Sequence, residues 1–176
     1  MTQNVIEEIK RKLFECRRLV VLNRAHCIPD YGYDSPRSVK YFESGLYFNP
    51  RATEADVLTF EEIHNVTLPE DYRAFVLEIG NGSCSVYPCQ SPWYVWYSLQ
   101  TIFGKMDYGT PSLPFPHKQH YDGPFVDPCL DELDPQLNGM MRISEHGCGV
   151  GSCLVLTGEE RGNMWFFDPG IYLYPF

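Results

Sequence analysis

The spacing of apolar residues divides the chain into a helical front and a strand-rich back. Between Val5 and Val20, Val5, Ile6, Ile9, Leu13, Cys16 and Val20 recur near every 3.6 positions, the period of one helix face. Lys10, Arg11, Lys12, Arg17 and Arg18 occupy much of the remaining helix surface. A basic amphipathic helix can lie on a membrane or in a partner groove, but its ordinary role is a surface helix with a solvated face. Residues 23–51 carry scattered Pro, Gly and Tyr without a sustained period, which predicts an irregular connection with a short strand at Leu46-Tyr47-Phe48.

From Thr53 the pattern sharpens. Thr53-Glu54-Ala55-Asp56 has the spacing of a capping box, with Asp in the position usually held by Glu or Gln. It predicts a helix with Val57, Phe60 and Ile63 on its inner face, ending near Asn65, a residue that tolerates left-handed backbone. Pro69 stands where a first helical residue belongs. Tyr72, Phe75, Val76 and Ile79 follow at i, i+3, i+4 and i+7, the stripe of a helix packed on a core. Gly80-Asn81-Gly82 supplies backbone able to adopt positive φ and end that helix.

The second half reads as strands. Residues 93–99 are β-favouring and half-alternating, and Met140–Ser144 forms another short strand. Ser152–Thr157 and Asn163–Phe167 are joined by the glycine-bounded connection Gly158–Gly162, a hairpin arrangement. Between them, residues 105–139 contain six prolines and no period, and a loop of that length is usually functional or mobile. Helices first and strands afterwards predict an α+β fold: an antiparallel sheet with helices packed on one face.

Two blocks carry a resemblance. The first is Phe60-Glu61, then Leu68-Pro69-Glu70-Asp71-Tyr72-Arg73-Ala74-Phe75, then Gly80-Asn81-Gly82. The second is Ile143 through Gly147, Gly149, Leu154-Val155-Leu156-Thr157-Gly158, Gly162, and Met164-Trp165 to Asp168. In this order they resemble the SUKH superfamily, which takes in the fungal cell-wall-assembly regulator and many bacterial immunity proteins. The resemblance spans roughly residues 52–171, so the chain divides into an N-terminal helix and irregular extension, 1–51, and a SUKH-like domain, 52–176. It implies the same α+β fold and a protein-binding role. Members commonly continue into a C-terminal helix; this sequence stops at Ile171-Tyr172-Leu173-Tyr174-Pro175-Phe176, an apolar strand-like run, so that helix is either absent or cut off.

Composition narrows the function. The 176 residues are 44% apolar and 15% aromatic, with 12 Tyr and 11 Phe, enough for one sizeable core in which ring packing dominates. No run approaches the ~18 apolar residues of a membrane span, and the polar start followed by a charged helix is unlike a signal peptide. Seven cysteines at irregular spacing fit a reducing, cytoplasmic setting better than a disulfide scaffold. Residues 1–51 hold nine Lys/Arg against six Asp/Glu, a net +3, while residues 52–176 hold five against seventeen, a net −12. Such a domain repels phosphate backbones and anionic membrane and is steered towards a basic protein, although acidity also serves solubility alone.

No catalytic constellation emerges. Cys84/Cys89 and Cys148/Cys153 are two pairs that can in principle hold zinc, but the four-residue gaps are loose and Cys153 falls inside an apolar strand. His117, His120 and His146 lack a carboxylate at helical spacing. Gly147-Cys148-Gly149-Val150-Gly151 precedes a strand rather than a helix, so no helix N-terminus is offered to a phosphate. No Gly-x-Ser-x-Gly elbow exists. Cys84, beyond a helix C-terminus, sits at the wrong end of the dipole for activation. The carboxylate neighbours Glu61-Glu62 and Glu70-Asp71 do not converge on a helix.

The expectation is therefore a non-enzymatic domain without cofactor or metal. With the resemblance, it becomes an immunity protein that neutralises a toxin domain, often a nuclease in this family. A regulatory scaffold of the cell-wall type and a zinc-binding protein are the alternatives. The expected partner surface is the acidic end of the Pro-rich segment, Asp127, Asp131, Glu132 and Asp134, with Glu159 and Glu160 on the hairpin. Tyr121 and Phe125 would serve as aromatic anchors.

Overall fold

The computed structural model describes residues 3–22, 49–82, 95–102, 109–125, 133–147, 149–169 and 172–176. Leu46-Tyr47-Phe48, expected to form a strand, lies outside them. The basic amphipathic segment is helix α1, Gln3–Leu22. Its Ile6 is buried, and Lys10 reaches Glu78 at 3.6 Å, so α1 rests against helix α3, Glu70–Glu78.

Helix α2, Glu54–His64, begins with the anticipated capping box. Asp56 N–H donates to Thr53 Oγ1 at 3.2 Å, and Thr53 N–H donates to Asp56 Oδ2 at 2.7 Å. It ends at Asn65, whose backbone is left-handed (φ 50°, ψ 48°). Val57 and Phe60 are fully buried, but Ile63 is 61% exposed, contrary to the expected inner face. At 100° per residue, Ile63 lies 240° round the helix from Val57; the buried stripe instead continues through His64, whose ring sits 4.6 Å from that of Phe60. In α3, Pro69 occupies the N-cap, one place earlier than expected. Val76 is the fully buried residue, while Tyr72 and Phe75 are half-buried against the same core and Ile79 is half-buried at the helix end.

The turn Gly80-Asn81-Gly82 does more than end α3. Gly82 takes φ 79°, and the buried Asn81 side chain accepts from Leu99 N–H at 2.8 Å and donates to Gln100 Oε1 at 2.8 Å. It thereby fixes the short helix α4, Leu99–Ile102. Gln100 in turn donates to Asp56 Oδ1 at 3.1 Å, which ties α4 to α2.

Five antiparallel strands follow one another in the sheet: β1 Val95–Trp96, β2 Met140–Gly147, β3 Val150–Val155, β4 Met164–Asp168 and β5 Tyr172–Pro175. The apolar C-terminal run is thus a strand. Its outer side is closed by a bridge in which Tyr121 and Leu173 exchange both backbone hydrogen bonds, at 2.8 and 2.7 Å. β2 and β3 lose register between Arg142 and Ser144 and again between Glu145 and Gly147, bulges that bend the hairpin.

Each face of the sheet is apolar, so each needs a cover. Met141, Ile143, Leu154 and Leu156 meet Val57, Phe60, Leu68, Val76 and Leu99 from the helices. Cys153, Val155, Trp165, Phe167 and Leu173 on the opposite face meet Phe115 and Leu137. The Pro-rich segment supplies that second cover, so its described part is a packed wall rather than a free loop. Gly139 marks where three segments converge. It has φ 70°, and a Cβ there would fall 2.4 Å from Phe115 N and 2.6 Å from Leu113 O, so only glycine fits.

Candidate partner-binding surface

The residues of the first sequence block mostly hold the scaffold together. Glu61 accepts from Leu68 N–H at 2.8 Å and lies 3.5 Å from Arg73, which also pairs with Glu54. Across from it, Arg161 donates to the carbonyls of Thr67 and Leu68 at 3.0 and 2.9 Å, pinning the β3–β4 hairpin onto the α2–α3 turn. Between the two runs an open cleft of about 450 Å³, lined by Glu61, Asn65, Thr67, Thr157, Gly158 and Arg161 among others. Its charged groups already serve backbone partners, so its shape is a by-product of the clamp.

Of the loop residues expected to form the interface, the five that are described are not gathered into one exposed patch. Asp127, Asp131 and Glu132 lie outside the described residues. Asp134, expected on an exposed loop, is only 4% exposed. Its carboxylate accepts from Gln136 N–H at 2.8 Å and caps the 3-10 turn Pro135–Leu137. Tyr121 and Phe125 are half-buried. Phe125 stands edge-on to Tyr121 at 5.4 Å and to Phe167 at 5.6 Å, so both rings pack inward on the second core. Glu159 is exposed but paired with Lys118 at 2.6 Å, and Glu160 accepts from Asn163 at 2.8 Å.

A second polar cluster sits in the β2–β3 hairpin. Arg142, almost wholly buried, pairs with Glu145 at 2.6 Å and donates to the carbonyls of Gly149 and Val150. Glu145 also accepts from Gly149 N–H and from the Tyr97 hydroxyl, each at 3.2 Å. His146 Nε2 lies 3.0 Å from Ser144 Oγ and 3.1 Å from Ser152 Oγ. Burial, with Arg142 nearby, lowers the His146 pKa below 6.5 and favours the neutral ring. Ser144 is 1% and Ser152 8% exposed, so these hydroxyls brace the hairpin rather than face a substrate.

Of the cysteines weighed as zinc ligands, Cys84, Cys89 and Cys148 lie outside the described residues. Cys153 is fully buried in β3, and burial pushes its thiol up to about 12. Among the described residues no three His, Cys, Asp or Glu are gathered where they could hold a metal ion. His117 contacts the Gln136 carbonyl at 3.0 Å and lies 4.3 Å from the Tyr121 ring. His120 stacks on Tyr174 at 6.2 Å.

The feature that sequence reasoning missed is the outer side of α2. Leu58 and Ile63 are 57% and 61% exposed, on the two flanks of the helix beside the buried Val57 and Phe60. Residues 54–78 carry seven Asp/Glu and one Arg, a net −6. Assigning an angle to each position of α2, instead of counting apolar residues, would have placed Ile63 outside.

The chain is thus an α+β domain in which a helical pair and an antiparallel meander share one core, with a proline-rich wall behind the sheet. The SMI1 / KNR4 family (SUKH-1) model matches residues 51–175, and the chain belongs to that family. It is generally a family of protein-interacting domains. No curated protein matches the chain. No helix among the described residues is long and apolar enough to cross a membrane.

Proposed function

We propose that this protein is a non-catalytic immunity protein that binds and neutralises a basic toxin domain, a nuclease by preference, in the cytoplasm. The observation that carries the reading is the net −6 of residues 54–78, spread over two surface helices of a protein-interacting family. Nuclease surfaces are basic because they hold phosphates. An acidic helical face competes for that charge and accelerates encounter. The buried or backbone-engaged state of Glu61, Asp134, Glu145 and Ser144 also favours a binding role for this domain over a catalytic one.

The test is co-expression with any toxin domain found encoded beside this gene. Neutralisation predicts that cells producing both survive and that the two proteins co-purify, with association slowing steeply as salt rises. Binding without protection is the result expected of a regulatory scaffold. Absence of both would end the reading.

A further inference from the structure

Leu58 and Ile63 pose a specific question. Two large aliphatic side chains, each more than half exposed, stand on one well-capped helix whose other face is fully packed. Ala55, Thr59 and Glu62 lie between them on the solvent side, and the Glu62 carboxylate makes no ion pair among the described residues. Leu58 and Ile63 flank that strip, about 140° apart round the helix, so the surface offers two aliphatic edges with one carboxylate between them, a composition that takes apolar contacts and a cation together. Of the acids anticipated elsewhere, the described Asp134, Glu159 and Glu160 are capped or paired; on α2, Glu54, Asp56 and Glu61 are engaged in the same way, and Glu62 stands exposed with nothing over it among the described residues.

We propose that the outer face of α2, with Leu58 and Ile63 as its apolar anchors and Glu62 between them, is the docking surface for a protein partner that offers aliphatic contacts with Lys or Arg set among them. This deepens the binding function proposed above by naming the surface, and it can fail separately. The charge of the partner follows from complementarity to residues 54–78; its apolar component follows from the two exposed side chains.

The test needs no toxin. Amide shifts of the full ¹⁵N-labelled chain are followed during titration with an amphipathic Leu/Lys helical peptide, and with a scrambled peptide of the same composition. Shifts should concentrate on residues 55–63 with the amphipathic peptide only. L58S/I63S should weaken its binding about tenfold, equivalent to ~1.4 kcal/mol, at unchanged melting temperature because both side chains are exposed. E62K should flatten the salt dependence. Equal shifts with both peptides, shifts centred on Glu159 and Glu160, or unaltered binding by L58S/I63S would overturn the assignment. So would a dimer that L58S/I63S dissociates, since a second copy would then be the occupant. If wild type and L58S/I63S neutralise a toxin encoded beside the gene equally well, the surface is wrong and the immunity reading survives. If the wild type binds the peptide through α2 but protects no cell, the surface stands and that reading falls.

Discussion

Asn81 and Leu99 are eighteen residues apart, yet the Asn81 side chain accepts the Leu99 backbone N–H at 2.8 Å. The turn that closes α3 therefore also opens α4. Replacing Asn81 with Ala leaves that buried N–H without its acceptor and Gln100 without its donor. The expected cost is about 2–3 kcal/mol of stability, since an orphaned buried group forfeits its full desolvation. Urea unfolding checks it; a loss under about 0.5 kcal/mol would show that water replaces the bond.

Phe60 and Ile63 give a matched pair on one helix. Phe60 is 0% and Ile63 61% exposed. Phe60→Ala should cost about 3–5 kcal/mol, the range for an emptied ring site, and Phe75→Ala, at a half-buried position, should cost less. Ile63→Ala should stay within about 0.5 kcal/mol of wild type. Equal losses at 60 and 63 would refute the orientation of α2.

Stability should fall as pH drops below neutrality. Burial lowers the pKa of His64, His117 and His146 below the unfolded value of 6.5. Each lowered base disfavours its protonated form in the native state. Its contribution is complete above pH 6.5, and is lost as the pH falls through that value towards the folded pKa, while the unfolded chain takes up more protons. Melting temperature measured from pH 7.5 to 5 should decline, and less so in His146→Gln. A flat profile, or identical slopes for wild type and variant, would contradict the assigned state of His146.

Cys153 should resist alkylation. With its thiol pushed up to about 12 by burial in β3, almost no thiolate exists at neutral pH, and thiolate is the reactive form. Peptide mapping after iodoacetamide treatment should find Cys153 modified in denaturant and not in buffer. Modification of the native protein at a rate like that of a free thiol would show the strand to be open.

The local chemistry of helix ends was readable from the chain: the Thr53–Asp56 capping box and the left-handed Asn65 stand where their sequence places them. So was the order of helices before strands, because each element's period is a local property. What escaped was set by distant contacts. Nothing near Asn81 announces that its amide will hold Leu99, and the prolines of residues 109–125 and 133–137 concealed a wall because an aperiodic segment can still cover an apolar sheet face. Acidity misled for a similar reason: Asp134 has the composition of a surface loop and the position of a buried cap. Charge in a sequence says nothing about which carboxylates the fold will engage.

The bridge between Tyr121 and Leu173 bears on how the protein behaves in quantity. Along β5 the amides of Leu173 and Pro175 point away from the sheet; the first is bonded to Tyr121, and the second has no hydrogen to give. An incoming strand finds no donor row on which to grow. This edge will not seed open-ended polymers, and concentrated solutions should stay free of fibres nucleated there.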